Sequence, residues 1–108
     1  MTMERRKHPR YPVEYVLSLL GERSQGQGVT QDLSVTGCRA RSPIGMTSGV
    51  SVGLLIDVPR YENPLLVDMA IIRWAKEQEF GMEFIDIAPD NQQRLQEVIR
   101  GSETNRMV

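Results

Sequence analysis

A single cysteine and a single histidine among 108 residues leave little reactive chemistry to work with. Cys38 has no partner for an internal disulfide, and one Cys with one His cannot assemble the nitrogen and sulfur ligand set of a zinc site. Aromatic residues make up 6% of the chain, too few for a surface that binds single-stranded nucleic acid by interleaving stacking platforms with basic strands. No apolar run is long enough to span a bilayer, and the basic N-terminus lacks the hydrophobic core of a signal peptide. The expectation is therefore a cytoplasmic protein without membrane insertion. A phosphate-cradling Gly-rich loop with its lysine is missing too, the carboxylates are scattered, and the serine of "DLSVTG" lacks the strand, elbow and helix of a hydrolase nucleophile. These absences point away from an enzyme, and no metal or resident cofactor is expected.

What is present fits one globular domain: 40% of the chain is apolar and 25% is charged, an ordinary make-up for this length. The net charge of −1 hides an asymmetry. Met1 to Pro12 carry four Lys/Arg against Glu4 alone, giving +3, while the remainder has nine basic and thirteen acidic residues, giving −4. Positive charge so localised suits a small anionic ligand or a narrow contact, not a nucleic-acid coat.

Hydrophobic periodicity of two dominates the rest. "VEYVLSLL" puts Val13, Tyr15, Leu17 and Leu19 on one side of a strand, and "GERSQGQG" has the content of a hairpin turn. "VTQDLS" then resumes alternation through Val29, Gln31 and Leu33. "CRARS" gives a short third strand with Cys38 and Ala40 on one face and Arg39 and Arg41 on the other, before the loop "RSPIGMTSG". Val50, Val52, Leu54, Ile56 and Val58 define a fourth strand bounded by "PRYENP" with its proline at each end, and "LLVDMAIIRWA" and "FGMEFIDI" flank "KEQE" as a hairpin. Only "APDNQQRLQEVIRG" changes period: Leu95, Val98 and Ile99 share a helical face, Pro89 suits the first turn and Gly101 the stop. The expected fold is mainly β, a six-stranded antiparallel barrel with a C-terminal α-helix, since closure removes the exposed edges of such short strands. The expected organisation is a flexible basic arm over residues 1–12, the barrel and helix over 13–101, and a frayed tail over 102–108.

Two motifs carry chemistry. In "RRKHPR", Arg6 and Arg10 lie four apart, an even spacing that sends both side chains to one side of an extended segment, and Pro9 disfavours a helix. In "DLSVTG", Asp32 and Ser34 share a strand face, and Gly37 permits a tight reversal. Alone, the first reads as a solvated tail and the second as an Asx- or Ser-stabilised turn. Together they match a guanine nucleotide with phosphates: paired guanidinium groups suit phosphate and a purine Hoogsteen edge, and a carboxylate accepts from the N1 and N2 hydrogens of guanine.

At these residues the chain resembles the PilZ domains, bacterial receptors for cyclic di-GMP, whose pattern is Arg-x-x-x-Arg in an arm before the first barrel strand and then Asp/Asn-x-Ser-x-x-Gly. Both are here, at Arg6 to Arg10 and at Asp32 to Gly37, and "IIRWAKEQEFGMEFIDI" looks like the family's penultimate hairpin. The resemblance implies that Arg6 and Arg10 bind phosphate and guanine, that Asp32 and Ser34 read guanine edges, and that Gly37 lets the backbone approach the ligand. It also implies that Arg5, just ahead of the pair, favours two stacked cyclic di-GMP molecules per chain. Trp74 has two readings, a packing residue of its strand or a platform on which guanine stacks. His8 contacts phosphate or water; Arg39 and Arg41 extend the positive rim or are merely solvated; Cys38 is a small buried residue. The function expected is a non-enzymatic receptor that relays its bound state to a downstream protein. The alternative is a PilZ-like adaptor that binds proteins without cyclic di-GMP.

Overall fold

The computed structural model describes residues 8–21 and 25–106, with side chains through Ser102. Six strands are followed by one helix: β1 Val16–Leu20, β2 Gln25–Leu33, β3 Gly37–Arg41, β4 Ser51–Ile56, β5 Leu65–Lys76, β6 Glu79–Asp86 and α1 Pro89–Arg106. They close into an antiparallel barrel in the order β1-β2-β3-β6-β5-β4. Inside lie alternate residues that the periodicity selects, Leu17 and Leu19, Cys38 and Ala40, Val52, Leu54 and Ile56, joined by Val67, Ala70 and Ile72 of β5 and by Phe80 and Met82 of β6. Leu95 and Val98 of α1 join the same apolar cluster. Each such large side chain contributes roughly 1.5–3 kcal/mol when fully buried.

The alternation breaks in places, each for a local reason. β2 starts at Gln25 and takes in Gly26 and Gly28, so the second half of the glycine-rich stretch is strand. A side chain at Gly28 would run into the Arg41 carbonyl of β3, and one at Gly26 into the Ile44 side chain of the loop that follows, so these glycines serve close packing within the barrel and not a turn. A bulge between Thr30 and Asp32 shifts the phase, leaving Val29 exposed while Leu33 is buried, although the sequence pattern puts both on one face. Thr30 thereby points inward; its hydroxyl donates to the Val13 carbonyl (2.6 Å) and accepts from the Tyr15 N–H (2.9 Å). Val13 and Tyr15 pack on the core without belonging to β1. Val50 lies outside β4 and is exposed. The β5–β6 reversal is tighter than "KEQE" suggests: Glu77 and Gln78 alone connect the strands, Glu77 at a φ of 58°.

The helix begins at Pro89 as expected, but does not stop at Gly101; it continues to Arg106. A glycine within a helix is unfavourable by about 1 kcal/mol relative to alanine. Here the guanidinium of Arg60 fills the space that a Cβ at Gly101 would need, so a larger residue there would displace it. The β4–β5 loop is further tied to α1 by Arg94, which stacks over the Tyr61 ring at 4.9 Å and donates to the Asn63 carbonyl. Asn91 Oδ1 accepts the Leu66 N–H at 3.0 Å, anchoring the helix to β5.

Candidate functional site

Tyr11 forms an isolated antiparallel bridge with Leu33, its N–H and carbonyl each bonded to that residue at 3.0 Å. The basic arm is thus joined to the end of β2 one residue after Arg10. Arg10 comes within 3.9 Å of Asp32 Oδ1. The Arg39 N–H donates to the same oxygen (3.0 Å) while the Arg39 guanidinium lies 3.4 Å from Oδ2. Arg39 faces Asp32 directly in the β2–β3 register. One carboxylate therefore gathers Arg10 from the arm and Arg39 from the barrel wall. Arg5 and Arg6 lie outside the described residues; His8 is exposed.

Asp32 and Ser34 take different roles despite their spacing. The Asp32 side chain keeps 15% exposure, whereas Ser34 is buried and its hydroxyl works within the turn. Ser34 Oγ accepts the N–H groups of Thr36 and Gly37, both at 3.1 Å, and donates to the Gly37 carbonyl at 3.2 Å. The turn is held by backbone as well, through the Ser34 N–H on the Gly37 carbonyl at 2.8 Å. Gly37 is needed because a Cβ there would collide with the Met82 carbonyl on β6. In this position glycine allows close approach of two strands, and its own backbone borders the cleft described next.

A cleft of about 270 Å³ opens beside this turn, lined by Arg10, Thr36, Gly37, Arg73, Trp74, Gly81, Met82 and Glu83. Trp74 is 39% exposed and lies on Gly81, where any side chain would overlap its indole. It is a wall of the cleft, not a core residue. Arg73 pairs with Glu83 across the β5–β6 hairpin, Nε at 2.7 Å and Nη2 at 2.6 Å from Oε1. The sequence reading missed Arg73, Glu83, Gly81 and the Asp32 contact of Arg39. For Arg39 the outward alternation opposite Cys38 was the available signal; for the others it depends on the strand register. Cys38 sits under the site, fully buried, and burial pushes its thiol up to about 12, Asp32 adding to the shift and Arg10 opposing it. Among the described residues, no group of three His, Cys, Asp or Glu side chains could hold a metal ion, and no helix is long and apolar enough to cross a membrane.

A profile of the PilZ domain family matches residues 4–101. The chain belongs to the PilZ domain family. Several solved structures superpose on it closely. The Bacillus subtilis inhibitor of motility (MotI/DgrA) aligns over 96% of this chain and 54% of its own, with a TM-score of 0.77 at 23% identity. YcgR from Escherichia coli in complex with c-di-GMP aligns over 96% of this chain and 48% of its own, at 0.80 and 18%. The separate PilZ domain of YcgR with c-di-GMP covers 95% of both chains at 0.78 and 14%. At such identities the likeness is one of fold, and this PilZ chain spans about half the length of MotI and of YcgR. No curated protein sequence matches it.

Proposed function

We propose that this PilZ domain is a non-enzymatic receptor for cyclic di-GMP. The observation that supports this best is the meeting of the two motifs: Arg10 reaches Asp32 across the Tyr11–Leu33 bridge, beside a Ser34–Gly37 turn and an exposed tryptophan. Guanidinium groups of the arm, Arg6 and Arg10, would take phosphate and the guanine Hoogsteen edge. Asp32 would accept from the guanine N1 and N2 hydrogens, displacing part of its present Arg10 and Arg39 contacts. Ser34 would act by shaping the turn, Gly37 by keeping the backbone close to the ligand, and Trp74 by stacking on a base. That two of the related structures are c-di-GMP complexes adds support.

The output would come from the arm. A segment carrying Arg5, Arg6, Lys7 and Arg10 repels itself, and an anionic ligand clamping it to the barrel creates a surface that a downstream protein in the cytoplasm can read. Arg5 would favour two stacked ligands per chain, since a further guanidinium offsets repulsion between their phosphates. Calorimetric titration with cyclic di-GMP, GTP and a short oligonucleotide tests the reading. Saturable binding of cyclic di-GMP alone supports it, and the stoichiometry reports on Arg5. No binding would leave the adaptor reading.

A further inference from the structure

We infer that Arg73 is a base-reading residue of the cleft, held in place by Glu83, and that it selects guanine over adenine on the face of Trp74; the inference rests on the receptor reading above. It starts from a bulge. The β5–β6 register shifts between Ile72 and Trp74, so Arg73 and Trp74 both stand on the outside of the barrel and both line the cleft, where strict alternation would put one of them inside. Bulges re-aim side chains next to sites. The carbonyl at the bulge accepts from the Ser48 hydroxyl at 3.4 Å.

The second observation is the pairing. Glu83 Oε1 bridges Nε and Nη2 of Arg73, which fixes the plane of the guanidinium and leaves the Nη1 amino group unused by the pair. Both side chains are about half exposed, 54% and 50%, and ion pairs as open as this one add little to stability. The carboxylate also offsets the charge of Arg73, so this arginine is better suited to orientation-dependent hydrogen bonding than to attracting phosphate. A base lying on Trp74 would present its edge to the adjacent residue. Guanine O6 and N7 accept from a guanidinium, whereas adenine offers an amino donor where O6 would be and meets another donor.

The experiment measures the affinities of cyclic di-GMP and cyclic di-AMP for the full chain and its Arg73→Met, Arg73→Lys and Glu83→Gln variants, with melting temperatures alongside. Arg73→Met is expected to weaken cyclic di-GMP by roughly tenfold and to lower the guanine-to-adenine preference by a similar factor. Arg73→Lys should keep melting temperature and recover part of the affinity without the preference, as an ammonium lacks the fork. Glu83→Gln should erode the preference by a smaller factor and increase the salt dependence of binding, since the charge of Arg73 is then uncompensated. A folded Arg73→Met variant that keeps the wild-type preference overturns the inference alone. A wild-type chain that binds neither dinucleotide overturns the receptor reading and this inference with it.

Discussion

The wall of β3, β6 and β5 beside Asp32 and the seat of α1 on the barrel are built from opposite materials. Around Asp32 the side chains are charged and open: Arg10, Arg39, Arg73 and Glu83 keep between 31% and 54% of their surface, and the contacts between them are ion pairs. Under α1, Leu95 and Val98 are 2% and 0% exposed, and Asn91 of the helix accepts the Leu66 N–H of β5. Open ion pairs contribute about 0–1 kcal/mol each to stability, against roughly 1.5–3 kcal/mol for each large buried apolar side chain. The open wall is thus available to exchange its internal partners for a ligand's with little loss of fold, and the helix seat is not.

Each region can be perturbed without the other. Leu95→Ala should lower unfolding free energy by about 2–5 kcal/mol, seen in chemical denaturation, while the fraction still folded binds cyclic di-GMP with unchanged affinity; a comparable loss of affinity would mean that the two regions are coupled. Arg10→Ala should do the reverse. Removing charge-assisted bonds worth roughly 1.5–3 kcal/mol is about ten- to hundredfold in affinity by calorimetry, with melting temperature nearly unchanged. Arg6→Ala should match it, and an unchanged dissociation constant in both would reduce the arm to a solvated tail.

Gly37 belongs to both regions and sharpens the contrast. Gly37→Ala sets a Cβ against the Met82 carbonyl, and overpacking of this kind costs about 1–3 kcal/mol. Stability and cyclic di-GMP affinity should fall together, the one case where they do. The smallest effect concerns Cys38, which lies below the charged wall. Its thiol has an ordinary value of 9.0 and is pushed up to about 12 by burial. The unfolded chain therefore loses this proton first as pH rises. The native state should keep full stability below about pH 9 and lose some of it between there and pH 12. Iodoacetamide should leave the native thiol unmodified at pH 8, as only the thiolate reacts; rapid alkylation there would show the wall to be open to its base.

Period two along the strands is enough to specify the barrel, and residue chemistry marks the candidate motif. Alternation survives folding wherever a strand has one buried and one solvated face, so Leu17 and Leu19, Cys38 and Ala40, and Val52 to Val58 were legible from period two alone. Arg10 and Asp32 were legible because their chemistry is unusual for their surroundings, a dense basic cluster and a carboxylate two residues from a serine near a glycine. How that motif is divided depends on contacts between strands. Ser34 turned inward to hold the turn and Asp32 kept partial exposure, since the chain leaves the β ladder between them. Bulges at Thr30/Asp32 and Ile72/Trp74 reversed the facing of their neighbours, and the helix passed through Gly101 with the Arg60 guanidinium in the space beside it. These features depend on which strand lies alongside and how closely it approaches. Such proximity joins residues far apart in the chain, Arg10 to Asp32 and Gly37 to Met82, and no local pattern encodes it.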